Sequence, residues 1–321
     1  MLASARVQPL AGSLVIDLTR YLPGPFASRE LLRLGARVVR VEPPEGDVLR
    51  QAAPFWHAAL DAGKESVACD LKTEPEVAQA LCERADVVLE GFRPGVVEQL
   101  GLRVPERSVW CSITGFGTGG RHAGRAGHDL NYMGWAGALA DTAPSLPPVQ
   151  AADLTAGALA AVTEVLAALL ERERSGRGQR ITVSMTHGAH RLVAHRLEGD
   201  PIPRLLTGGA PCYAVYETAD GRHLTLAALE PAFWARFCEL VEAPGLLEHQ
   251  FDPTARQDVA RIVAARTLAG WLALFDTEDV CAGPVWTLEE GAAEFGGEPT
   301  GRPPKLGEHT DAWRRELGLT L

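Results

Sequence analysis

The sequence predicts an α/β protein, with a doubly wound parallel sheet followed by a smaller α+β domain. Three observations carry this prediction. Short apolar runs alternate with helical stretches over the first part of the chain. The junctions between them are marked by glycine, proline and charged residues. From Gly208 the character changes to an alternating hairpin and then helices.

The first apolar run, LVIDL at 14–18, ends in the turn YLPGP and leads to a helix over 25–35. RVVRVE at 37–42 is a second strand, so strand, helix and strand form a βαβ unit. The turn between that first strand and helix lacks G-x-G-x-x-G, which argues against a dinucleotide site. Residues 43–64 read as a loop. SVACD at 66–70 is a strand, followed by a helix over 74–84, a strand over 85–92 and a short helix opened by Pro94 and Gly95. VWCSITGFG at 109–117 is a strand running into a glycine-rich loop, and a helix-like run covers 132–140. A long helix spans 154–174, and QRITVSM at 179–185 is the last strand of the sheet, with a short helical stretch after it. This alternation places ligands at the carboxyl ends of the strands. Residues 212–229 form a hairpin around an Ala-Asp-Gly turn, Pro231 opens a helix, and further helices cover 254–265 and 267–275, so 205–285 is the smaller domain. TDAWRREL near the C-terminus is helical.

A net charge of −10 argues against a nucleic-acid surface, while leaving room for a small anion held by a few arginines. The six cysteines are scattered without a C-x-x-C pair, which fits free thiols in a reducing compartment and neither a disulfide framework nor a zinc site. Without a signal-like N-terminus or an apolar run of ~18 residues, the expected location is the cytoplasm and no membrane span is expected.

The stretch Gly127–Glu171 concentrates the candidate chemistry. His128 sits in a Gly-His-Asp-Leu-Asn-Tyr loop, and Asp153 precedes the long apolar helix. A helix N-cap would account for Asp153, and an ordinary loop position for His128. Together they form an acid–base pair, and the amides at the start of the Asp153 helix are candidate oxyanion donors. Glu230 opens a helix after a strand, a placement that suits its charge and would also suit a partner for a histidine. Arg93 lies in a turn at a strand's carboxyl end, where an anion contact is plausible. His187, His190 and His195 lack a carboxylate or cysteine to complete a metal set, so no metal site is expected.

With these residues in view, the chain resembles the class III CoA-transferase superfamily, and within it the α-methylacyl-CoA racemases. The resemblance rests on VIDLTRYLPGPFASRELLRLGARVVRVEPPEGD, GKESVACDLK, ADVVLEGFRPGVVEQLGL and SITGFGTGG. It continues in GHDLNY, AADLTAG, CYAVYETADGRHLTLAALEPAFW and PKLGEHT, and covers nearly the whole chain. It implies a Rossmann-like large domain from 1–195 plus 286–321, and an interlocked homodimer. His128 and Asp153 become the catalytic pair and Glu230 the partner of the histidine. CoA contacts would come from Arg40, Arg50, Lys64, Arg93, Gly127 and Tyr132. The implied activity is inversion of the α-carbon of 2-methylacyl-CoA thioesters by 1,1-proton transfer through an enolate, in fatty-acid metabolism. CoA is carried by the substrate, and no separate cofactor is implied. The alternative is a CoA transferase in which Asp153 forms an acyl-enzyme. The chain is shorter than is usual for the family before Phe55 and between His190 and Gly208, and it has Thr182 and Thr186 where acidic residues are common.

Overall fold

Strands between Leu14 and Ser184 pair into a six-stranded parallel sheet in the computed structural model, which describes residues 7–199, 204–296 and 301–319. In chain order the elements are β1 (Leu14–Asp17), α1 (Pro23–Arg33), β2 (Arg37–Glu42), α2 (Leu49–Ala52), α3 (Pro54–Asp61), β3 (Glu65–Ala68), α4 (Pro75–Arg84), β4 (Val87–Glu90), α5 (Val96–Gln99), β5 (Val109–Thr114), α6 (Asp129–Trp135), α7 (Ala152–Ser175), β6 (Arg180–Ser184) and α8 (Met185–Val193). The sheet order is β3-β2-β1-β4-β5-β6 with every neighbouring pair parallel. The chain therefore winds outward from β1 to β3, returns to the other side of β1, and continues from β4 to β6. The strand order reverses between β1 and β4, and a crevice is expected above their carboxyl ends.

The apolar runs are strands because both faces of the sheet are covered. Val15 stands opposite Val38 and Val87 on a face that packs against Leu31 of α1 and Val165 of α7. Ile16, Val39 and Val88 point the other way, into a cluster with Leu81 of α4 and Trp110. Each such side chain, when fully buried, contributes roughly 1.5–3 kcal/mol. The long helix α7 is wound in two manners. Ala152–Leu159 makes wide π-type turns and Ala160–Ser175 ordinary α turns. By length and composition α7 is the single helix among the described residues able to cross a bilayer, and 44% of its most apolar window is buried within the fold.

Residues 43–64, expected as a loop, hold α2 and α3. Pro54 sits in the first turn of α3, where its missing N–H costs nothing. The helix hid from periodicity because its polarity is inverted: Phe55 and Trp56 are exposed, whereas His57 and Asp61 are buried with Leu60.

The chain divides into two compact units, one of residues 1–140, 145–194 and 299–321, the other of 141–144 and 195–298. The second unit holds β7 (Tyr213–Glu217), β8 (His223–Ala227), α9 (Pro231–Leu240), α10 (Arg256–Val263), α11 (Leu268–Phe275), β9 (Ala282–Pro284) and α12 (Leu288–Phe295). Its sheet is antiparallel, β7-β8-β9, over a core containing Leu224, Leu226, Trp234, Phe237 and Trp271. Asp220 of the hairpin turn accepts the Leu268 N–H at 3.1 Å, which ties the hairpin to the start of α11. Residues 286–296, assigned by sequence to the large domain, group with this unit, where Arg222 pairs with Glu290 at 2.7 Å.

The final helix, α13 (Thr310–Leu317), belongs to the first unit and lies against β3. His309 donates its backbone N–H to Ser66 O at 2.9 Å, and Thr310 Oγ1 accepts the Ala68 N–H at 2.9 Å.

Candidate active site

A cavity of about 570 Å³ opens at the point where the strand order reverses. Leu18 to Tyr21 follow β1, Gly91 to Pro94 follow β4, and Ile113 to Gly115 close β5, all on its wall. The same wall includes Gly127, His128, Tyr132 and Asp153. A second cavity of about 390 Å³ adjoins these residues, and His128, Asp153 and Tyr21 line both.

His128 caps α6 with an extended backbone, φ −127° and ψ 177°, and its N–H is accepted by Asn131 Oδ1 at 3.0 Å. The cap leaves the imidazole exposed over the cavity. The Tyr21 ring meets it edge-on, with centroids 5.8 Å apart and planes at 87°. Tyr21 has φ +64°, in the left-handed region that residues other than glycine rarely occupy, and its N–H lies 3.3 Å from Asp47 Oδ2. Such a conformation costs about 1–3 kcal/mol and clusters at functional sites.

Asp153 lies inside the first turn of α7, whereas sequence placed it ahead of the helix. Its amide donates to Asp129 Oδ1 at 2.9 Å, a partner 24 residues earlier. That bond ties the His128 loop to the start of α7. It also removes the Asp153 amide from the expected oxyanion donors, and the Leu154 amide is taken by Gln150 O at 2.8 Å. The Asp153 carboxyl is pushed up to about 7, first by burial and then by the neighbouring charge of Asp129. Tyr132 donates its hydroxyl to Gly127 O. Gly115 and Gly127 allow this approach, since a Cβ on either would lie 2.5 or 2.8 Å from the tyrosine ring.

Asp129→Asn tests the second cause. It keeps an oxygen for the Asp153 amide and deletes the charge, so ionisation of Asp153 becomes easier and its midpoint moves below the value of about 7. Carboxyl-selective NMR titration of Asp153 is the measurement; a midpoint that stays put or rises refutes the assignment.

The structure brings Gly127, His128, Tyr132, Asp153 and Arg93 to one cavity. It does not bring Arg40, Arg50 or Lys64 there. Arg40 and Lys64 are buried: Arg40 bonds Asp47 at 2.7 Å and Asp61 at 3.0 Å, and Lys64 bonds Asp61 and Ser28 at 2.9 and 2.8 Å. Burial works against the charge of Arg40, but the surrounding carboxylates, Asp61 foremost, outweigh it and raise its pKa. Arg50 is clamped by Glu42 through two bonds of 2.6 Å. These three cations stabilise one another's carboxylate partners beneath the β1–α1 turn and do not face the cavity. Glu230 is the N-cap residue of α9, exposed on the second unit. His187 and His190 each have a local partner, Ser184 Oγ at 2.7 Å and Ala136 O at 3.0 Å.

Sequence reasoning missed Arg20 and Arg125, which line the larger cavity with Arg93. Among the described residues none of the three has a carboxylate partner, so their charge is available to an anion. A signal was present: Arg20 and Arg93 each follow a strand and precede a Pro-Gly turn.

This sheet order places an acid and a histidine on the wall of one cavity at its switch point, as in an α/β enzyme. The chain belongs to CoA-transferase family III, whose family model matches residues 10–298. It is similar to the α-methylacyl-CoA racemase of Mus musculus, 34% identical over 97% of this chain and 94% of that protein. The human α-methylacyl-CoA racemase is 35% identical over 88% of this chain and 78% of that protein. A succinate–glutarate CoA-transferase of Agrobacterium fabrum is 31% identical over 90% of this chain and 83% of that protein. Among solved structures, a hypothetical protein from Mycobacterium tuberculosis superposes with a TM-score of 0.83 at 29% identity, over 97% of this chain and all of that one.

Proposed function

We propose that this enzyme inverts the α-carbon of 2-methylacyl-CoA thioesters by 1,1-proton transfer. The observation that carries the reading is that His128 and Asp153 line one cavity from different elements while the Asp153 carboxyl sits near neutrality. Inversion in both directions requires each of two groups to act as acid in one direction and base in the other. A carboxyl with a pKa of about 7 exists in both forms at neutral pH, and an imidazole can act as general acid or base.

The thioester carbonyl acidifies the α-carbon. One group removes the proton from one face, the electron pair moves into the carbonyl to give an enolate, and the conjugate acid of the other group returns a proton to the opposite face. Arg20, Arg93 and Arg125 supply the positive charge that CoA phosphates need, and this remote binding energy holds the reacting carbon in place. The racemase relatives support the reading. The transferase relative points to a second reading, an acyl-enzyme on Asp153.

The test is incubation of a single-epimer 2-methylacyl-CoA in deuterated water without an acceptor acid. Epimerisation with deuterium at the α-carbon is expected. No exchange, together with passage of CoA to an added carboxylate, would replace this reading by the transferase one.

A further inference from the structure

We infer that Tyr21 is a positioning residue for the His128 imidazole, and that the buried ionic network beneath the β1–α1 turn holds Tyr21 in place. The catalytic consequence rests on the proton-transfer reading above, whereas the positioning itself can be measured without any reaction. The backbone comes first. Tyr21 has φ +64°, a conformation that a residue with a side chain keeps only where its surroundings impose it. Two anchors impose it, one on each side of Arg20. Before Arg20, Asp17 Oδ1 accepts the Thr19 N–H at 2.9 Å and the Thr19 hydroxyl at 2.5 Å. After it, Asp47 Oδ2 accepts the Tyr21 N–H at 3.3 Å. Gly24 lets the start of α1 close on the turn, since a Cβ there would lie 1.9 Å from Thr19 Oγ1.

The two anchors are joined under the turn. Ser28 Oγ donates to Asp17 Oδ2 at 2.5 Å and accepts from Lys64 Nζ at 2.8 Å. Lys64 also donates to Asp61 at 2.9 Å, Asp61 accepts from Arg40 at 3.0 Å, and Arg40 donates to Asp47 at 2.7 Å. The bonds make a closed circuit from Thr19 round to Tyr21, and every charged member of it is buried. Moving the turn would strip a partner from a buried charge, which is costly. What the circuit delivers to the cavity is the Tyr21 ring. That ring is 51% exposed, so burial does not offset the strain, and a glycine would make the same turn without it. The use of the side chain lies in its neighbour: it meets the His128 ring edge-on, with centroids 5.8 Å apart. His128 has its backbone fixed by the α6 cap while its imidazole is exposed. An exposed imidazole samples several rotamers, and proton transfer proceeds only from those that reach the α-carbon. The tyrosine edge narrows that choice.

The experiment has a spectroscopic and a kinetic arm, both on the full chain. Histidine-ring ¹³C relaxation, with the His128 signal assigned by its loss in His128→Ala, should show an ordered ring. The order should drop in Tyr21→Leu and in Tyr21→Gly, which suits the backbone but lacks the ring, and return in Tyr21→Phe. In the kinetic arm, Tyr21→Leu should lower deuterium wash-in from the epimer whose proton His128 takes by up to about tenfold, with the other epimer kept within about twofold. Asp47→Ala, read well below its Tm, should lower the same epimer roughly fivefold, and Asp47→Asn, which keeps an oxygen for the Tyr21 N–H, should recover most of that. Combining Asp47→Ala with Tyr21→Leu should add no further loss, because Asp47 acts through the ring. An unchanged His128 order in Tyr21→Leu overturns the inference. Equal losses on both epimers mark a binding defect and also overturn it. Losses that multiply in the double variant overturn the part assigned to the network. If the wild type exchanges neither epimer while the relaxation series behaves as expected, the proton-transfer reading fails and the positioning stands.

Discussion

His128→Ala and Asp153→Asn are expected to fail on opposite epimers. On the proposed 1,1-proton transfer each group works on one side of the planar enolate, so each exchanges the α-proton of one epimer only. His128→Ala should lose deuterium wash-in from the epimer whose proton points at the imidazole, by about 10²–10⁴-fold, and Asp153→Asn should lose it from the other by a similar factor. Interconversion should stop in both variants, since it needs both groups. Mass spectrometry and NMR of the recovered thioesters, started from each pure epimer, read this directly. A His128→Ala enzyme that exchanges and inverts both epimers normally would remove His128 from the mechanism. A chain in which only Asp153 matters would point to the acyl-enzyme. The asymmetry is diagnostic because a general loss of folding or of CoA binding would depress both epimers together.

Asp61→Ala should be the most destabilising single change beneath the site. Asp61 is buried and lies 3.0 Å from Arg40, 2.9 Å from Lys64 and 2.7 Å from the His57 ring. Burial works against its charge, but Lys64, the His57 contact and Arg40 together hold its pKa well below the ordinary carboxylate range. Removing it leaves two buried cations short of a partner, at a cost of about 3–5 kcal/mol. For a domain of this size that is a fall in Tm on the order of ten degrees by calorimetry. Because the folded pKa is depressed, this stability is present above the unfolded carboxylate pKa and is lost only as pH falls through the lower folded value. The difference between wild type and variant should therefore be full at neutral pH and shrink only in strong acid. Arg103→Ala, which breaks an exposed pair with Glu83, should change stability by about 0–1 kcal/mol. Equal effects of the two substitutions would refute the buried-network account.

The parallel sheet was legible because strands buried on both faces must be written as unbroken apolar runs, as in LVID and RVVRVE. His128 was legible because the glycine before it and the asparagine after it announce a shaped loop. What escaped depended on partners far along the chain. Arg40 lies within β2 and Lys64 just before β3, and the arrival of Asp47 from the loop before α2 and of Asp61 from α3 holds them inward. Asp153 looked like a helix cap until Asp129 took its amide. Helix α3 was hidden by its inverted polarity, and that inversion is what leaves Trp56 at the mouth of the smaller cavity.

The position of α13 also governs the order of assembly. β3 is an edge strand, and residues 309–313 cover it: His309 and Thr310 bond to Ser66 and Ala68, and Trp313 Nε1 donates to Glu65 at 2.7 Å. A ribosome delivers this cover about 240 residues after the strand it protects, once the whole second unit has been synthesised. During that interval the nascent sheet carries an open edge able to pair with another chain. The protein is thus most exposed to aggregation while it is being made, and its last helix acts as the latch that ends that period.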